Sequence, residues 1–133
     1  MAINYTLPSH GSASEYQCSG VPYVTGTHEL TDTTVVRMAV PYVTRHFTVF
    51  NSGSTPIRVG FTENGVNSQP DANYFLVRGD SESPRLEIKC QNVFVRKDGG
   101  TTPNKATVVF ALTNVTQDRF FSVTGSNGVD GVG

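Results

Sequence analysis

The sequence predicts an all-β chain, an antiparallel sandwich or barrel of about eight short strands. Three observations predict it. Apolar and polar residues alternate with period two in runs of five to eight residues. Gly, Pro, Asn and Asp punctuate those runs at short intervals. Nowhere does an i, i+3, i+4, i+7 apolar pattern persist over three turns, so helix content is expected to be low.

Residues 1–30 read as an N-terminal arm that lies across the surface or reaches to a neighbour. The stretch "LPSHGSASEYQCSG" is polar and turn-rich. The pentapeptide "VPYVT" occurs at 21–25 and again at 40–44, too few copies for a solenoid. Its first copy is a candidate short strand within the arm. From Thr34 onward the alternation places strands at 34–40, 46–51, 57–62, 73–78, 85–90, 92–97 and 106–113, with a weaker one at 119–124. Residues 63–72 and 97–105 read as long exposed loops. Residues 31–124 form the one folded domain, and the Gly-rich 125–133 reads as a flexible tail.

Within this pattern "TVFNSGSTPIRVGFT", residues 48–62, poses a choice. The run Asn51-Ser-Gly-Ser-Thr55 has the small polar residues of a phosphate loop. A phosphate loop needs a helix next, whose N-terminus supplies oriented N–H groups. Here Pro56 and β-branched residues follow, and the lysine of a Walker motif is missing. The run is therefore expected to be a turn between two strands.

Bulk properties narrow the function classes. The formal net charge is -1, which implies no global attraction to polyanions or membrane surfaces. Charged residues make up 16%, well below the usual quarter or so. A surface poor in charge and rich in Thr, Ser, Asn and Gly suits a sheet protein, and it also suits one whose surface is largely covered by neighbours. No apolar run is long enough to span a bilayer. Met1-Ala-Ile-Asn-Tyr-Thr has neither a basic start nor an apolar core, so no secretory signal is read there. The sequons at Asn4 and Asn114 are then coincidental. Cys18 and Cys90 are isolated and are expected to be free thiols, Cys90 buried at the end of the alternation Leu86, Ile88, Cys90.

The search for chemistry yields little. His10, His28 and His46 share no metal-ligand spacing. Glu63 with Asp71, and Asp80 with Glu82, read as solvated loop acids, and no calcium loop is present. Neither cysteine nor any serine sits in a nucleophile motif. The expectation is a protein that is not an enzyme and needs no cofactor or metal. Arg85, Glu87 and Lys89 share one face opposite Leu86 and Ile88, with Arg96 and Lys97 on a neighbouring strand. Alternation with Glu87 makes this a solvent or subunit-contact face. Phe94 alone is a poor stacking platform, so no nucleic acid is expected.

One linear motif remains. Arg78-Gly79-Asp80 spells RGD, which integrins recognise when a loop presents it. Arg78, Gly79 and Asp80 are the only candidate receptor motif in the chain. The plainer expectation is an ordinary turn. Gly79 would supply a positive φ and Asp80 would bond to nearby backbone N–H groups.

Four stretches carry a resemblance: "FTVFNSGSTPIRVGFTENG", "NYFLVRGDSES", "RLEIKCQNVFVR" and "VVFALTNV". Over residues 34–116 they resemble the small vertex (penton) proteins of large icosahedral DNA viruses, iridovirus-like ones in particular. The resemblance implies a single eight-stranded antiparallel jelly roll. It implies a structural role, closing the five-fold vertices of the capsid as a homopentamer. The implied partners are other copies of the chain, a double-jelly-roll major capsid protein and minor capsid proteins. The implied location is the virion capsid vertex, assembled in the host cytoplasm, with no direct membrane insertion. The alternative is a non-catalytic carbohydrate- or receptor-binding module of the same architecture. Such a module would want exposed aromatics, and Trp is absent. A cytokine-like or cupin-like trimer is a third class, and a cupin enzyme would need clustered histidines.

Overall fold

The computed structural model describes residues 12–17, 20–26, 30, 34–67, 73–100 and 103–119. Over these residues the chain is all-β and antiparallel. Its strands are β1 (Val21–Gly26), β2 (Val36–Ala39), β3 (Tyr42–Asn51), β4 (Ile57–Gly60), β5 (Phe75–Val77), β6 (Ser81–Glu82), β7 (Asn92–Lys97) and β8 (Ala106–Thr116). Two five-residue helices, α1 (Ala13–Gln17) and α2 (Glu63–Asn67), and a 3-10 turn at Gln117–Arg119 complete the elements.

The strands form two four-stranded sheets, ordered β1-β8-β3-β6 and β2-β7-β4-β5. The pairing is nested. β1 pairs with β8, β2 with β7, β3 with β6 and β4 with β5, all antiparallel. This is one long hairpin, folded at the β4–β5 connection and wound so that β3 also meets β8 and β4 also meets β7. Both sheets contribute to one buried cluster. Phe47, Val49, Val108 and Phe110 come from the first, and Ile57, Val59, Val93 and Val95 from the second. The alternation that predicts strands is thus the alternation that fills this core. Phe110 touches both Phe47 and Tyr23, with ring centroids 5.8 and 6.1 Å apart, which ties three strands together.

The strands expected at 34–40, 46–51, 57–62, 73–78, 92–97 and 106–113 correspond to β2, β3, β4, β5, β7 and β8. Three expectations need correction. Residues 85–90 are not a strand, since their one ladder contact is an isolated bridge between Leu86 and Phe47. Leu86 and Ile88 do lean on the core. Their neighbour Cys90 is held by Thr44 of β3 through side chain and backbone: the Thr44 hydroxyl donates to Ile88 O at 2.6 Å and accepts from the Cys90 N–H at 2.9 Å, and the Thr44 N–H donates to Cys90 O at 3.3 Å. Residues 63–67, expected as loop, form α2, because Thr62 Oγ1 accepts the Gly65 N–H at 3.0 Å and caps its first turn. The first VPYVT copy is a strand, in line with its reading as a candidate short strand, but it is the edge strand β1 of the first sheet and not part of an arm. Of the strand expected at 119–124, only Arg119 is described, and it ends the 3-10 turn. Residues 1–11 and the tail lie outside the described residues.

Register shifts in β3 near Thr44 reset which side chains face inward. Thr44 meets Cys90, while Val43 packs with Val115 and Tyr16 in a second small cluster. Arg45 Nε donates to Tyr16 O at 2.7 Å, so α1 is fastened over this end of the first sheet.

Candidate interaction surface

The stretch 51–55 is a turn between β3 and β4, as expected, with Ser52 and Ser54 exposed and Asn51 turned inward to meet Asn104. Asn51 is 3% exposed and Asn104 1%. Asn51 Nδ2 donates to Thr55 O at 2.9 Å and to Val77 O and Arg78 O at 3.1 Å each. Its Oδ1 accepts from the Gly53 N–H at 3.0 Å and from Asn104 Nδ2 at 3.3 Å. Asn104 also donates to Thr55 O and accepts the Thr55 N–H. The two asparagines replace strand pairing where three chain segments meet. The small residues suit this crowding rather than a phosphate.

That hub anchors the turn carrying Arg78, Gly79 and Asp80. The Asp80 N–H donates to Gly53 O at 2.8 Å, and Ser81 Oγ donates to Arg78 O at 2.7 Å. The expected role of Gly79 is corrected. It is Asp80, not Gly79, that has a positive φ, of 52°. Gly79 is there for close approach: a Cβ on it would lie 2.3 Å from Ser54 O. The expected side-chain bond of Asp80 is corrected too. Among the described residues, the Arg78 guanidinium and the Asp80 carboxylate have no hydrogen-bond or ion-pair partner, and both residues are exposed. A shallow open groove runs beside Asp80, lined by Phe50, Asn51, Ser52, Asp80, Ser81 and Glu82. The turn after β7 differs: there Gly99 and Gly100 do take φ of 88° and 80°.

The outer faces of the two sheets differ in character. Tyr23 packs inward on Phe110, so alternation turns Val24 outward, beside its register partner Val109. Thr48 and Phe50 continue this face across β3. Val24 is 62% exposed and Val109 and Phe50 37% each. No charged side chain occurs among these four. The second sheet's outer face carries Arg37, Arg58 and Arg96, with Arg58 directly opposite Arg96. Arg58 is held by Asp98 at 2.7 Å and lies 4.7 Å from the Tyr74 ring centroid. Arg96 donates to Asn67 Oδ1 and Arg37 to Asn92 Oδ1.

The residues read as a solvent or subunit-contact face, Arg85, Glu87 and Lys89 with Arg96 and Lys97 beside them, do not share one surface. Lys97 is 1% exposed, in phase with Val93 and Val95, and so leaves the surface. Lys89 lies over the Tyr16 ring at 4.3 Å, while Arg85 and Glu87 pair at 3.3 Å in solvent. The pKa of His46 is lowered, first by burial and then by Arg85 and Arg45, against an opposing pull from Glu87. Cys90 is a buried free thiol whose pKa burial pushes up to about 11, with the Thr44 hydrogen bond acting the other way. Cys18, His10, His28, Asp71 and Asn4 lie outside the described residues. Among the described residues no three His, Cys, Asp or Glu side chains gather as metal ligands.

The asparagine hub was missed in the sequence. Its signal was available: an Asn closing an apolar strand and facing the core by the strand's own alternation. No known family, curated protein or solved structure matches the chain. What these residues offer, on their own geometry, is surface: a largely apolar sheet face bordered by Glu82, an arginine-bearing one, and a charged turn fixed by backbone hydrogen bonds.

Proposed function

We propose that the chain is a jelly-roll vertex protein that closes the five-fold positions of an icosahedral viral capsid as a homopentamer. The observation that carries the fold part is the nested pairing of β1–β4 with β8–β5. A hairpin wound into two four-stranded sheets is the pattern of the jelly roll, which capsid proteins share with lectin domains and cupins. The choice among those users rests on the sequence resemblance over residues 34–116.

The surfaces agree with this choice. A five-membered ring is a heterologous interface that closes, so two different faces of one subunit must match. The chain offers two unlike outer faces, one largely apolar around Val24 and Val109 with Glu82 at its β6 edge, and one bearing Arg37, Arg58 and Arg96. Each ring interface should bury on the order of 1,000 Å² or more. The sheet edges and the exposed turn at Gly99 and Gly100 would add to the faces. Trimers of a major capsid protein would complete the contacts around the ring.

The test is localisation in particles. Virions carrying a tagged copy should show label at the five-fold positions in electron micrographs. Label spread over the triangular facets, or absent from particles, would overturn the proposal and favour the carbohydrate- or receptor-binding alternative.

A further inference from the structure

We infer that the Arg78–Asp80 turn is a receptor-attachment element that recognises a protein face holding a divalent cation beside a carboxylate. Asp80 supplies a carboxylate oxygen to the cation and Arg78 a guanidinium to the partner's acid. This inference is independent of the vertex proposal, because it needs only the exposed turn.

Three observations carry it. First, both charged side chains are exposed and, among the described residues, unengaged. The Asp80 carboxylate is not used to cap backbone N–H groups, which leaves it available to a partner. Second, the backbone beneath them is fixed from several sides. Asn51 Nδ2 holds Val77 O and Arg78 O, Ser81 Oγ holds Arg78 O, and the Asp80 N–H is bound to Gly53 O. Gly79 is pressed on Ser54 O so closely that no other residue fits. Third, Asp80 is a non-glycine residue at φ 52°, a conformation uncommon outside Gly, Asn and Asp. The residue is exposed and lines the groove shared with Phe50 and Ser52.

The chemistry follows. A carboxylate oxygen is the hard donor that Mg²⁺, Mn²⁺ or Ca²⁺ takes into an open coordination position. Guanidinium binds a carboxylate through two parallel N–H bonds. A turn already held in shape loses little entropy on binding, so two side chains suffice as anchors. The shallow groove leaves room for the receptor's rim beside Asp80.

The experiment uses the full chain and an immobilised RGD-binding integrin ectodomain in Mn²⁺ buffer. The expected result is binding that EDTA abolishes and a short linear RGD peptide competes away. Asp80→Glu keeps the charge but displaces the carboxylate by one methylene. It should weaken binding about tenfold or more, and Asp80→Asn, which keeps a residue tolerant of this φ and removes the charge, should weaken binding as much with an unchanged thermal melt. Arg78→Lys keeps its charge but loses the planar fork, and should also weaken binding. Absence of binding by the unaltered chain, binding that survives EDTA, or equal binding by Asp80→Glu would each overturn the inference.

Discussion

Replacing Asn51 by Ala should unfold the chain more readily than any single surface change. The side chain is 3% exposed and has five hydrogen-bond contacts, three donated from Nδ2 and two accepted by Oδ1. Two N–H hydrogens serve three carbonyls, so the donated set is worth about two full bonds. At about 1 kcal/mol net per bond, and with the buried Val77 carbonyl and Gly53 N–H losing their partner, the loss is about 3 kcal/mol. That is a large part of a typical stability of about 5–15 kcal/mol. In urea unfolding, with a slope of about 2 kcal/mol per molar, the midpoint should fall by about 1.5 M with the slope unchanged. Asn51→Asp sharpens the test. It is nearly isosteric, yet it turns acceptor oxygens toward Thr55 O, Val77 O and Arg78 O. It should cost at least as much as Ala. A midpoint shift below about 0.3 M for Asn51→Ala, or a milder effect for Asn51→Asp, would refute the hub.

Other outcomes follow from the same geometry. Gly79→Ala drives a Cβ to 2.3 Å from Ser54 O, a backbone atom that cannot yield, and should cost about 2 kcal/mol in a thermal or urea melt. Asp80→Asn keeps a residue that tolerates positive φ and breaks no bond of the carboxylate, so stability should change by less than about 0.5 kcal/mol. Removing residues 1–26 deletes β1 and uncovers Phe110, so the remainder should melt well below the full chain in circular dichroism. Cys90 gives a pH dependence. Its thiol is raised from 9.0 to about 11 in the fold, so the unfolded chain loses that proton first as pH rises. The contribution is complete below pH 9.0 and is lost as pH climbs to about 11, at up to about 1.4 kcal/mol per unit. Urea midpoints at pH 8 and 10 should show this slope in the unaltered chain and not in Cys90→Ala.

How far the sequence discloses this fold depends on what each signal reports. Side-chain alternation reports which face of an extended segment is buried. It placed β3, β4, β7 and β8 because in those strands burial and ladder pairing coincide. At Leu86, Ile88 and Cys90 the two separate: the side chains face the core, but after the single bridge of Leu86 to Phe47 the Thr44 hydroxyl takes the Ile88 carbonyl and the Cys90 N–H that a ladder would have paired. β6 shows the converse. Ser81 and Glu82 pair with Asn51 and Phe50 while both stay exposed, so no apolar pattern announces them. α2 is too short for helical periodicity, and only the Thr62 cap marks it. The hub at Asn51 was legible in principle from strand phase alone. The freedom of Arg78 and Asp80 was not, because it depends on Gly53, Ser54 and Asn51 arriving beneath them from another part of the chain.

The central claim is a closed ring of five. Native mass spectrometry of the purified, concentrated protein, with class averages from electron micrographs of the same sample, tests it most directly. The account predicts a species of five 14.4 kDa chains, about 72 kDa, and rings with five-fold symmetry. A trimer or a two-fold dimer, or a monomer at every concentration with no ring in the images, would contradict it.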